Sequence, residues 1–144
     1  DINLILNNSK AGNSLNSELK NINNKNIEEF KKIELSIKSE DDKLTKQKNI
    51  IKEEEYKIKV AELRSKYKSF QELMKKKNIN LKKIRENGAN QILKVVKDIL
   101  TEYSTKNNIS FVVDKKNIII GKTELDITND ILKLLDNKIL KVNL

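Results

Sequence analysis

The sequence predicts a mostly α-helical fold with a small β part: a long antiparallel coiled-coil hairpin arm on a small α+β body built from both chain ends. Three observations predict it. Apolar residues recur at alternating steps of four and three from about Leu15 to Tyr103, which is the spacing of a coiled-coil seam. No proline interrupts the rhythm, and Gly88 is the one glycine inside it. Beyond it, the rhythm gives way to short β-branched and aromatic runs at Ile109–Val113 and Ile118–Ile120.

The seam is clearest in its second half: Tyr56, Val60, Leu63, Tyr67, Phe70, Met74, Lys77, Leu81 and Ile84. Phe30, Ile33, Ile37, Glu40, Leu44, Gln47 and Ile51 form an earlier run of the same kind. The intervening positions are mostly Lys, Glu, Asn and Gln. So narrow an apolar stripe does not build a globule by itself, and each run needs another helix to cover it. Residues 16–94 are therefore read as the arm, with its tip near 49–52. Residues 1–15 and 95–144 are read as the body.

Composition agrees with an extended shape. The chain is 37% hydrophobic, 4% aromatic and 35% charged. That is too polar for one compact core and too periodic for plain disorder. The net charge is +9, and residues 16–94 hold 21 lysines and arginines against 13 acidic residues. The excess thus sits on the arm. It reads either as a solvated helical face or as a surface for an acidic polymer, an anionic lipid or an acidic unfolded chain.

In chain order, Asp1 caps a short helix, Ile2 to Asn7. Asn7-Asn8-Ser9 weakens it, and Ser9 is a good N-cap for the next helix. Ala11 and Gly12 are small enough to admit another backbone. The first arm helix runs from about Lys10 to Lys48, with Leu15, Leu19 and Ile22 opening its seam and an asparagine-rich, helix-weak patch at 21–26. The reversal is placed near Asn49 to Lys52. Lys43, Lys46 and Lys48 suit a helix C-terminus, and Glu53, Glu54 and Glu55 suit a new N-terminus. One unbroken helix is the competing reading, since neither Gly nor Pro marks a turn. The second arm helix runs from Glu53 to about Lys106, and at about 1.5 Å per residue the paired length is about 60–70 Å. Past Gly88 the apolar face widens through Ile92, Leu93, Val95, Val96, Ile99, Leu100 and Tyr103, where the helix should meet the body.

Asn107-Asn108 ends that helix. The two predicted strands follow, separated by the turn residues Asp114-Lys115-Lys116-Asn117. A polar loop leads to Asp126, and a last amphipathic helix uses Ile127, Ile131, Leu132, Leu134 and Leu135. The tail after Asn137 keeps Ile139, Leu140, Val142 and Leu144, and either a helix extension or a strand fits it. Two short strands do not stand alone in water, so an exposed edge here demands further copies.

Catalytic chemistry finds little support. The chain has no His and no Cys, so the usual triads and zinc sites have no side chains to use. No glycine-rich phosphate cradle occurs. Neither a cofactor nor a metal is expected. Lys75-Lys76-Lys77 and Lys82-Lys83 suit phosphates, but a solvated helix explains them more simply. Tyr67 and Phe70 fall on the seam and read as packing residues, so no specific nucleic-acid partner is expected. No apolar run approaches a membrane span, and no signal-peptide pattern opens the sequence, as expected of a mature or trimmed form.

Several local strings resemble the Skp/OmpH family of periplasmic chaperones. Ile109-Ser110-Phe111-Val112-Val113-Asp114 looks like the family's strand ending in Val-Val-Asp. Leu125-Asp126-Ile127-Thr128, followed by Ile131 and Leu132, looks like its closing Asp-Ile-Thr helix. Asp1 through Asn7 with Lys10-Ala11-Gly12 looks like its first helix and its Ser-Pro-Ala-Gly corner, with Lys10 in place of the proline. Glu53-Glu54-Glu55-Tyr56, then Val60 and Leu63, is similar to the start of its descending arm. The strand that the family carries just before the aspartate matching Asp1 is not in this sequence.

The resemblance implies a homotrimer with a shared β-structured trimerisation body, and three helical hairpins around a cavity that holds unfolded outer-membrane β-barrel proteins without ATP. It implies a periplasmic location, with possible anionic-lipid or lipopolysaccharide contact. Phe111, Val112, Val113, Ile118, Ile119 and Ile120 would then build the oligomer body. On the arm, Lys31, Lys38, Lys46, Lys52, Lys57 and Lys68 are the candidates for long-range attraction of clients, and Ile50, Ile51 and Tyr56 for apolar contact near the tip. Two other readings compete: a structural coiled-coil spacer, and a lysine-rich module binding nucleic acid or anionic membranes.

Overall fold

A computed structural model of the chain describes residues 1–143, so the expectation for Leu144 lies outside the described residues. Four helices follow in order: α1 (Ile2–Asn8), α2 (Lys10–Gln47), α3 (Glu53–Lys106) and α4 (Thr128–Lys138). Short 3-10 turns occur at Lys115–Asn117 and Thr123–Leu125. The long helices α2 and α3 form an antiparallel hairpin, reversed by residues 48–52 without Gly or Pro. The amides of Ile50 and Ile51 both bond back to the Gln47 carbonyl, and the Lys52 carbonyl accepts from Tyr56 to start α3. The unbroken-helix reading is thereby excluded. The chain divides into two compact units, residues 21–82 and residues 1–20 with 83–144.

Residues 21–82 are a two-stranded helical pair. Phe30 and Phe70 meet edge to face with ring centroids 6.0 Å apart. Lys77 reaches Glu29 at 2.9 Å, and Lys66 reaches Glu40 at 2.6 Å. Going forward along α2 from Glu29 to Glu40 moves the partner backward along α3, as an antiparallel register requires. Leu44 and Phe70 are buried, but most other seam residues are only half-buried. Two helices cover one narrow stripe and leave its flanks wet. Tyr67 therefore departs from its expected packing role: it lies at the flank and is 53% exposed. The asparagine-rich patch is helical throughout, and Asn26 is buried where an apolar residue would suit a seam better.

Residues 1–20 and 83–144 have a denser core of Ile5, Ala11, Leu15, Leu19, Ile92, Val96, Ile99, Ile131 and Leu135. Asp1 caps α1, its Oδ1 accepting from the Leu4 amide at 2.9 Å. Ser9 then leaves the helix in an extended conformation, and its hydroxyl accepts from Gly12 N–H at 3.1 Å, capping α2. A Cβ on Gly12 would stand 1.9 Å from the Leu6 carbonyl oxygen, so only glycine fits this close crossing. Asn108 ends α3 in the left-handed region (φ 54°), with Ile109 N–H bonding back to the Ser104 carbonyl at 2.9 Å.

The two predicted strands are not formed. Residues 109–114 run without regular structure, Ile119 and Ile120 bend, and the described residues contain no strand. The turn between them does form, closed by Asn117 N–H to the Asp114 carbonyl at 2.9 Å. A strand is defined by its partner, and this single chain offers none to either segment. The last helix starts at Thr128, with Ile127 as its N-cap. After α4 the described residues are not helical and form no strand: Ile139 is extended (φ −141°, ψ 140°) and Leu140 bends.

Candidate functional site

Two surfaces qualify, one in each unit. On residues 21–82, Lys31, Lys38, Lys46, Lys52 and Lys68 are exposed, and among the described residues none has an ion pair. Lys31 and Lys38 are seven residues apart, hence on one face of α2. Lys57 is different, because its ammonium pairs with Glu53 at 2.6 Å. Ile50 stands 79% exposed in the reversal, whereas Ile51 and Tyr56 are half-buried. The structure thus brings Ile50, Ile51, Lys52, Tyr56 and Lys57 together at one end of the pair, with the other lysines distributed along it.

Sequence reasoning missed a set of apolar side chains off the seam. Ile27 and Leu35 are more than half exposed and lie eight residues apart on the α2 face that also carries Lys31. Ile58 and Ile79 are exposed on α3. Their signal was present as apolar positions out of step with the heptads, but such residues are common on any surface. A groove of about 190 Å³ lined by Glu40, Lys43, Leu44, Gln47, Lys59, Glu62 and Leu63 is smaller than an ordinary small-molecule site. No helix of the described residues is long and apolar enough to cross a membrane, and no acidic cluster among them could hold a metal ion.

The second surface is the segment between α3 and α4. Phe111, Ile119, Ile120 and Leu125 are 78%, 99%, 91% and 74% exposed, and Val112, Val113 and Ile118 are nearly half exposed. This apolar row is held at two aspartates. Asp114 accepts from the Ile2 amide and pairs with Lys116 at 3.3 Å. Partial desolvation pushes its pKa up, but the bonds from Lys116 and Ile2 outweigh it and the net shift is downward. Asp126 is held far below the usual carboxylate range, first by Lys115 Nζ at 2.6 Å, then by the hydroxyl and amide of Thr128. Thr128 Oγ1 in turn accepts from the backbone nitrogen of Asp1 at 2.7 Å. Asp114 therefore meets Ile2 directly, and Asp126 reaches Asp1 only through Thr128. Across α3 and α4, Tyr103 donates to Asp130 at 3.0 Å, a bond that raises the phenol pKa.

The family model described as outer membrane protein (OmpH-like) matches residues 1–135. The chain belongs to the OmpH-like family. Among solved structures, it matches the crystal structure of a candidate outer membrane chaperone, OmpH-like, from Caulobacter crescentus CB15. The TM-score is 0.89 at 16% identity, over 97% of this chain and 83% of that one, so the two share a fold. Comparison with curated proteins yields no match. The OmpH-like match ends within α4, so the segment after Lys138 lies beyond it.

Proposed function

We propose that this OmpH-like chain is an ATP-independent periplasmic holdase chaperone. It works as a homotrimer and encloses unfolded outer-membrane β-barrel proteins between its basic helical arms. The observation that carries this reading is the family match over residues 1–135 on a chain whose positive excess lies on exposed, paired helices. Exposed lysines draw in an acidic unfolded chain at long range. Ile27, Leu35, Ile50 and Ile58 then offer scattered apolar contacts, each weak and additive in avidity. Support for assembly comes from the row Phe111 to Ile120, since a monomer gains nothing by exposing so many apolar side chains in one segment. Strands that find no partner within one chain are expected to find it in a neighbour.

The test is the mass of the protein in solution with and without an unfolded outer-membrane β-barrel protein, combined with light scattering of that client on dilution from urea. A trimer that takes up one client chain and suppresses its aggregation supports the proposal. Stable assembly without suppression returns the protein to a structural spacer. Salt-sensitive binding to DNA or anionic vesicles in place of client capture favours the lysine-rich binding module.

A further inference from the structure

Among the described residues, the segment after α4 is hydrogen-bonded to α3 through the Gln91 side chain. The Gln91 carboxamide exchanges two hydrogen bonds with a single residue: its Nε2 donates to the Asn143 carbonyl at 2.7 Å, and its Oε1 accepts from Asn143 N–H at 3.1 Å. In an antiparallel ladder, two opposed residues exchange the same pair of bonds. Here a side-chain amide stands in for the second backbone. Only main-chain atoms of Asn143 take part, so any residue except proline satisfies the contact. Ile139 and Val142 are half-buried, while Leu140 and Lys141 face solvent.

We propose that Gln91 is the centre of a backbone-reading seat for an extended polypeptide segment. Residues 139–143 occupy it in the free chain, and an extended segment of a client displaces them. The identity of the displacing ligand rests on the holdase reading above; the seat itself does not. Three features favour exchange. Recognition through backbone atoms is indifferent to sequence, as in strand addition at a sheet edge. Gln91 and Asn143 are both exposed, so water can replace the bonds and their net loss is small. The occupant also covers little apolar surface, since Ile139 and Val142 are only half-buried and Leu140 is 63% exposed, so a displacing segment has little to replace.

The experiment uses a chain ending at Lys138 and a capped peptide of residues 138–143 as the probe, followed by NMR. The shortened chain should bind the peptide saturably and shift the Gln91 side-chain amide signals. Gln91→Ala should weaken binding about tenfold, the loss expected for two exposed hydrogen bonds. An Ala at the Asn143 position of the peptide should bind as well as the parent, and an N-methylated residue there should not bind. Absence of saturable binding, or binding indifferent to N-methylation, overturns the seat. In a second arm, the shortened chain should capture an unfolded outer-membrane β-barrel protein more tightly than the full chain, and Gln91→Ala should cancel the gain. Peptide binding with unchanged client capture overturns client displacement. If neither chain captures client, the holdase reading fails while the peptide arm still decides the seat.

Discussion

The Asp136 carboxylate on α4 lies 2.7 Å from the backbone nitrogen of Lys10, the first residue of α2. That amide is one of the four donors a helix start leaves open, and Ser9 satisfies another through Gly12. The family's Ser-Pro-Ala-Gly corner has proline where this chain has Lys10, and proline has no N–H to give. Asp136→Ala should therefore cost about 1–2 kcal/mol in urea unfolding. Lys10→Pro should cost less, since proline suits a first helical position. In the Lys10→Pro background, Asp136→Ala should be nearly neutral. Additive losses would mean that the two groups are not coupled.

Gly12 permits the close crossing with Leu6, and Gly12→Ala puts a methyl where the Leu6 carbonyl oxygen already stands. The expected loss is about 1–3 kcal/mol or more, with a lowered thermal midpoint. Gly121→Ala is the control, because its new Cβ meets only Ile118 Cγ2 at 3.4 Å.

Acid should loosen the segment between α3 and α4 first. The pKa of Asp126 is lowered chiefly by the Lys115 bond, and that of Asp114 ends lower once its bonds outweigh desolvation. A lowered folded-state pKa stabilises at pH above the unfolded value of about 3.9, and the gain is lost as pH falls through the folded value. Unfolding midpoints should be flat from pH 7 to about pH 5 with respect to these groups, then decline. Asp126→Asn should flatten the decline and lower stability at neutral pH.

Phe70 meets Phe30 across the hairpin in residues 21–82. Phe70→Ala should cost about 3 kcal/mol locally. Hydrogen exchange should then accelerate within 21–82 while the amides of Ile92, Val96 and Ile99 keep their protection, because those residues belong to the other unit's core.

Ile119→Asp with Ile120→Asp tests the exposed apolar row. Both side chains are almost wholly exposed in one chain, so monomer helicity should not change by circular dichroism. The mass in solution should fall if this row is the assembly surface. An unchanged mass would assign assembly to other residues.

The sequence by itself determined the helices, the reversal and the caps. Heptad spacing, Ser9, the Glu53–Glu55 run and Asn107-Asn108 act within a few residues of themselves, and α2 and α3 end within a residue or so of where these signals put them. The distribution of basic charge was equally legible, since it needs only counting. Tertiary structure alone decided the rest. Tyr67 is exposed because two helices leave the flank of a seam uncovered. The runs at 109–113 and 118–120 have strand-forming side chains, yet pairing depends on a partner that local propensity does not supply. Bonds between residues far apart in the chain, Lys10 with Asp136 and Gln91 with Asn143, depend on which helices pack together, and no spacing along the chain encodes that.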